Sequence, residues 1–391
     1  MADTETRSAT TGTESVVGGP ADSRSVGSLD RDDERMFVAS QWRLMWWRFR
    51  KHKGAMVGAA VIALLYVLGI FCEFIAPYDP RVRRVDHLFV PPMRVRVVHD
   101  GQLSAPFVYA LTSHVNLETM RRTYRPDGER RHFLRLFVRG EPYEFWGLWP
   151  TDLHLFGVED GGVFHPLGTD RMGRDMLSRV LYGARISLSI GFIGVALSFV
   201  IGLLLGGLSG YFGGTIDTVI QRAIEVLWSF PSIPLWMALS AVLPADWSAL
   251  KVYFSITIIL SLINWTGVAR VVRGKLLSLR EEAFVMAARL ANTGEMKIIW
   301  RHLLPSFLSH IIVSVTISVP TTILAETALS FLGLGLRSPI MSWGVLLQEA
   351  QNMRTVALHP WLMLPVLFVI ATVIAFNFVG DGLRDAADPY S

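Results

Sequence analysis

Three groups of polar residues stand where apolar neighbours make them costly, and their spacing limits the chemistry open to them. The first is residues 279–294, continuing to Pro305, a charged stretch of helical pattern between two long apolar runs. Within it Phe284, Ala287, Ala288 and Ala291 recur at helical spacing, giving one small apolar face flanked by charge. Such a helix cannot sit in lipid. It either docks on a partner or lies on the membrane surface as a link between spans. The second group, Asp170, Arg174, Asp175 and Arg179, forms i,i+4 pairs suited to an interfacial helix. The third is Glu326, inside an apolar run, with Asn264, Glu225 and Arg222 as weaker members. A charge near the bilayer centre costs about 2.5–3.5 kcal/mol. Glu326 must therefore line a water-filled path or pair with a neighbouring helix.

None of these groups reads as catalytic. The ten histidines are scattered, with no H-E-x-x-H or similar spacing, so no metal site is expected. The serines show no evident base, and no hydrolase triad can be assembled. The chain contains no G-x-x-x-x-G-K-[ST] phosphate loop. It is read as no enzyme, without a cofactor of its own; any ATP and Mg chemistry belongs to a partner. No basic face interleaved with aromatics points to nucleic acid.

The elements that position these residues are membrane helices. Of 391 residues 51% are hydrophobic and only 18% charged, and the mean hydropathy is +0.39. Soluble domains are about a quarter charged, so this balance indicates a membrane protein. Six spans are expected, at 54–76, 184–210, 216–243, 253–272, 307–332 and 361–379. Arg222 and Glu225 interrupt the third, and Pro231 and Pro234 break its hydrogen-bond ladder. Gly202, Gly206 and Gly210 suit close helix contact. Basic residues before the first span and between the fourth and fifth place both regions, and both termini, in the cytoplasm.

Four parts follow from this reading. Residues 1–35 are a disordered cytoplasmic tail without a signal-peptide pattern, and 36–76 an interfacial segment with the first, uncleaved span. Residues 77–166 form an extracytoplasmic insert, and 167–391 the core with the other five spans and the cytoplasmic helix at about 281–296. Alternating apolar runs at 93–98, 133–138 and 143–148, with Asp-Gly turns, make the insert β-rich. Cys72 is the single cysteine, so no intrachain disulfide forms. The fold class is an all-α integral membrane protein with a β-rich insert between its first two spans.

Two strings resemble a known family. Importers of the ATP-binding-cassette class carry E-A-A-x-x-x-G-x(9)-I-x-L-P in the permease loop that touches the ATPase. Here Met286, Ala287 and Ala288, then Asn292, then Leu304 and Pro305, keep that spacing. Met286 stands where the family has Glu, and Asn292 where it has Gly; Asn tolerates a left-handed turn, so the bend is expected to survive. The string from Gly168 through Asp170, Gly173, Arg174, Asp175 and Arg179 to Leu188 is similar to the C-type permease of oligopeptide and dipeptide importers. Further matches run to Pro389.

The resemblance implies a type I importer permease in the cell inner membrane. It implies a second homologous permease, two ATPase subunits binding ATP and Mg, an extracytoplasmic solute-binding protein and membrane lipid as partners. It implies a coupling set of Glu282, Phe284, Met286, Ala287, Ala288, Arg289, Asn292 and Gly294, with Ala287 and Ala288 packed into the ATPase groove. Glu326, Asn264 and Glu225 are candidates for the path, and Asp170, Gly173, Arg174 and Asp175 form the elbow. The cargo is a peptide or, because long forms with such an insert include oligosaccharide permeases, a sugar. An ATP-independent channel or carrier is the reading outside this class. The insert receives the binding protein, covers the outer mouth or braces the permease pair.

Overall fold

The computed structural model describes residues 41–387, apart from 100, 117–120, 159–160 and 245. The tail at 1–35, residues 36–40 and the last four residues lie outside the described residues. Helix α1 (Gln41–Lys51) buries Met45 and Phe49 against Ala55 and Ala386. His52 then turns the chain and caps α2 (Lys53–Ile70), its Nδ1 accepting from Ala55 N at 3.0 Å. One turn of helix, α3 (Cys72–Ile75), leads into the insert.

The insert is an antiparallel four-stranded meander, β1 (Arg96–His99), β2 (Gln102–Asn116), β3 (Arg121–Phe145) and β4 (Trp149–Val158). The β-rich expectation holds, with two local differences. Residues 143–148 cross the β3–β4 turn instead of forming one strand. Asp127-Gly128 makes a bulge within β3, where pairing jumps from Tyr109–Arg131 to Ala110–Asp127. Several contacts fasten the sheet to the linker that follows α2. Tyr124 donates to Leu88 O at 2.7 Å, Arg84 pairs with Glu141 at 2.7 Å, and His154 Nδ1 lies 2.6 Å from Ala76 O.

The core begins with α4 (Met176–Phe212), whose 37 residues reach about 55 Å at 1.5 Å each. Then come α5 (Gly214–Ser229), α6 (Ser232–Ala241), α7 (Ala249–Leu279), α8 (Ala283–Leu290) and α9 (Glu295–Ile298). A π-helical turn, Ile299–Leu303, feeds α10 (Leu304–Phe331), followed by α11 (Trp343–Glu349), α12 (Met353–Leu358) and α13 (Leu364–Ala387). Among the described residues five helices are long and apolar enough to cross a membrane. The third expected span, 216–243, is instead the pair α5–α6, bent by 88°. Pro231 supplies the reason. It has no N–H to give, and it pushes Phe230 into an extended conformation, φ −95° and ψ 135°.

Lipid tails are as apolar as leucine, so apolar side chains alone do not hold such helices together; close backbone packing does. Along α4, Gly202, Gly206 and Gly210 face Val268, Ala269 and Arg273 of α7, so closely that an added Cβ on Gly206 would lie 2.5 Å from Ala269 O. Nearer its start, α4 packs on α2, α10 and α13 through Leu65, Leu188, Ile323 and Phe376. Gly206→Val should force α4 and α7 apart at a cost of about 1–3 kcal/mol. The measurement is the thermal transition of the detergent-solubilised chain. Gly207→Val, whose Cβ would meet nothing within 4 Å, should leave that transition in place.

Candidate functional site

Two constellations sit at opposite ends of α4. At its C-terminal end lies the short helix α8, joined to α7 by a tight turn in which Glu282 N donates to Leu279 O at 3.1 Å. Glu282 is the N-cap; its backbone carbonyl accepts from Val285 N and Met286 N, and its side chain makes no cap bond. The helix stops by left-handed geometry at Asn292, φ 55°. Thr293 N donates to Ala288 O at 3.1 Å and Asn292 N to Arg289 O at 2.9 Å, the paired bonds of a Schellman stop. The bend expected at Asn292 therefore forms without glycine. Gly294 O then accepts from Lys297 N at 2.9 Å and opens α9.

The two faces of α8 have different surroundings. Val285 is fully buried with Tyr211, Leu276, Ile298 and Phe307, and Ala288 packs on the same cluster. Phe284, Met286 and Leu290 point away, 42%, 56% and 89% exposed, and Ala287 and Ala291 are exposed beside them. Of the two alanines expected in a partner's groove, Ala287 is exposed and Ala288 is half-buried against the chain's own cluster. Ala287 and Ala291 share the free side with Phe284, while Ala288 turns toward Val285 and the core. Arg289 is held over the Tyr211 ring at 5.6 Å, tying α8 to the end of α4. Sequence reasoning missed the adjoining ion pair, Asp217 of α5 with Arg273 of α7, at 2.5 and 2.6 Å. Ser209 of α4 also donates to Asp217.

At the other end of α4 lies the elbow loop. Gly173 has φ +72°, and a Cβ there would fall 1.9 Å from Arg84 O, so only glycine fits. Asp170 Oδ1 accepts from Met172 N and Arg174 N at 2.7 and 3.0 Å. Its Oδ2 accepts from Arg174 Nε at 2.7 Å and Arg179 Nη1 at 2.6 Å. Both arginines also grip Glu349 of α11, at 2.7 to 3.0 Å. Two arginines and two carboxylates balance in a site where the arginine side chains are only 6% and 2% exposed. The expected Asp170–Arg174 pair is present, but in a loop instead of on a helix. The expected Asp175–Arg179 pair is not. Asp175 is the N-cap of α4, its Oδ2 accepting from Ser178 N and Oγ at 2.8 Å, and its Oδ1 faces His165 Nδ1 at 2.9 Å. Beside this loop, burial pushes the Tyr78 phenol up to about 12. Burial, with His165 and Arg84 nearby, holds His87 below the usual imidazole range.

Glu326 lies between these ends and is fully buried. Ser330 donates to its Oε1 at 2.7 Å and Ser187 to its Oε2 at 3.3 Å, while Ser187 Oγ accepts from Trp343 N at 3.1 Å. The carboxylate thus joins α4, α10 and α11 from inside the bundle. Of the two expectations, path or pairing between helices, this conformation shows the bonds of the second, with no surface of Glu326 exposed. Asn264 is half-buried and donates to Thr322 at 3.2 Å, linking α7 to α10. Only Glu225 faces outward, paired with Arg222 at 2.8 Å on the exposed side of α5. Among the described residues no group of three or more His, Cys, Asp or Glu is placed to hold a metal ion.

Arg179→Met leaves Asp170 and Glu349 with one arginine between them and should cost about 3–5 kcal/mol. The readout is the thermal transition of the purified chain. Asn292→Val should lose about 1–2 kcal/mol at the α8 stop, whereas Asn292→Gly should keep it; limited proteolysis of the α8–α9 turn distinguishes them.

Comparison with known proteins matches two stretches of the chain to family descriptions. Residues 199–390 match the family described as binding-protein-dependent transport system inner membrane component. Residues 40–92 match the N-terminal TM domain of oligopeptide transport permease C. The oligopeptide transport system permease protein OppC of Bacillus subtilis is 30% identical over 351 residues, 90% of each chain. The glutathione transport system permease protein GsiD of Escherichia coli is 33% identical over 352 residues, 90% of this chain and 91% of that one. OppC of Haemophilus influenzae is 41% identical over 227 residues, 58% of this chain and 70% of its own.

Proposed function

The chain belongs to the family of inner-membrane components of binding-protein-dependent transport systems, and from that premise we propose that α8 is its coupling lever to a separate ATPase. One observation carries the reading. The outer face of α8 is apolar and open at Phe284, Met286 and Leu290, while its inner face is locked by Val285 and Ala288 into the ends of α4, α7 and α10. A force on the outer face therefore cannot be absorbed by rotation of α8 alone. It passes to α7 through the turn at Leu279–Glu282 and to α10 through α9 and the π-helical turn.

In this reading α8 and both termini lie in the cytoplasm, and two ATPase subunits bind and hydrolyse ATP with Mg. A second, homologous permease completes the path. The α5–α6 pair supports a second subunit, because Val219, Val226 and Trp228 are 62%, 60% and 52% exposed beside the Arg222–Glu225 pair. A charged pair on an exposed membrane face is costly against lipid and is favoured toward a wet interface between subunits. Glu225 is the path residue of choice. ATP-driven closure of the ATPases moves α8, α7 and α10 follow, and the path opens toward a docked solute-binding protein. The lever transmits only if its contact differs between the two states.

The cargo is proposed to be a small peptide. The relatives matched through about nine-tenths of their length bear oligopeptide and glutathione names, so a long insert does not by itself favour a sugar. Ala287→Glu tests the lever. Membrane abundance should be unchanged, while transport and cargo-stimulated ATPase activity of the reconstituted assembly fall at least about tenfold, near 1.4 kcal/mol of lost contact. Transport at the original rate with the ATPases absent would instead indicate an independent carrier and remove the proposal.

A further inference from the structure

Residues 145–150 of the insert carry no charge and include Phe145, Trp146, Leu148 and Trp149. Phe145 pairs with Trp149, so Trp146, Gly147 and Leu148 form the loop at the tip of the β3–β4 hairpin. Trp146 has φ 54° there, a left-handed conformation that a bulky side chain rarely adopts. Such strain persists only where surrounding contacts hold it, and it gathers at functional places. Here the indole N–H donates to Ile70 O at 2.9 Å, the last residue of α2. The ring stacks on Phe145 at 5.0 Å, and Phe145 stacks in turn on Phe71 at 6.0 Å. The hairpin tip is thus seated on the end of a membrane span.

That seating fixes its depth. The 18 residues of α2 rise about 27 Å, close to the hydrocarbon thickness of a bilayer, so Ile70 marks where the helix leaves it. Val67, Ile70 and Phe71 are 47%, 42% and 41% exposed, and Trp146, Leu148 and Trp149 beside them 50%, 68% and 58%, with the Arg185 guanidinium, paired with Glu73, also donating to Ile70 O at 3.0 Å where the two meet. Tryptophan favours the headgroup layer, where its apolar ring and polar N–H are both accommodated. Glu144 and Asp152 bracket the stretch and stop it from going deeper.

We propose that this tip is a membrane-interface anchor, with Trp146, Leu148 and Trp149 lying among phospholipid headgroups beside the end of α2. The insert then rests on the bilayer at a fixed height and tilt. Its β1–β2 end, where Leu103 is 87% exposed, stands in water.

The test is a nitroxide label at Leu148→Cys in the full chain, purified with its native lipid into nanodiscs. Native Cys72 is fully buried and takes no label. Collisions with oxygen should exceed those with a water-soluble nickel chelate, in the manner of a label at Val67→Cys and opposite to one at Leu103→Cys. Trp149→Cys reads the same surface should the first variant be poorly produced. Nickel access equal to that at Leu103→Cys overturns the proposal. Shielding from both reagents also overturns it, and identifies a protein cover such as another subunit.

Discussion

The backbone contact between α4 and α7 is the constraint that the other features presuppose. Gly202, Gly206 and Gly210 remove the side chains that would hold the two helices apart. The gain in dispersion is then available in a medium that offers little hydrophobic drive. Because both helices are long, 37 and 31 residues, one seam joins the two ends of the molecule. At one end the seam fixes Tyr211 against the α8 cluster, and at the other the same α4 begins at the charged elbow. A shift of α7 along this seam has to move α4 with it or slide over three glycines.

The elbow cluster serves a different end. Two arginines and two carboxylates out of water are not a source of great stability, since desolvation offsets most of their attraction. Their value is directional: Asp170, Arg174, Arg179 and Glu349 meet in one geometry only, because each bond has a fixed donor and acceptor. They place α11 against the start of α4, and Glu326 repeats the arrangement deeper in the bundle through Ser187 and Trp343. The α10–α11 connection is thereby held at two depths.

Much of this was legible in the residues. Apolar runs located the straight spans because lipid demands about twenty such residues whatever their order. Asn292 was readable as a left-handed stop because few residue types tolerate that conformation. The partner of Arg174 was not, since Glu349 lies 175 positions away and nothing local names it. Asp175 was misassigned because spacing fits both an ion pair and a cap, and only the actual start of the helix at Met176 decides. Periodicity gave α8 an apolar stripe without saying which side would face the chain's own core. The proline pair warned of a break in the third span, but not of its 88° angle.

The π-helical turn between α9 and α10 has a bearing on how the molecule is timed. Such a turn houses one residue beyond the α-helical count, and each residue in a helix subtends about 100°. That surplus residue sets the compass bearing of α8 and α9 about the axis of α10. If the turn relaxed to ordinary helix during a working cycle, everything before it would swing round α10 like a crank, without any bond in α10 being broken. The five residues that join α9 to α10 are therefore where such a rotation would be taken up.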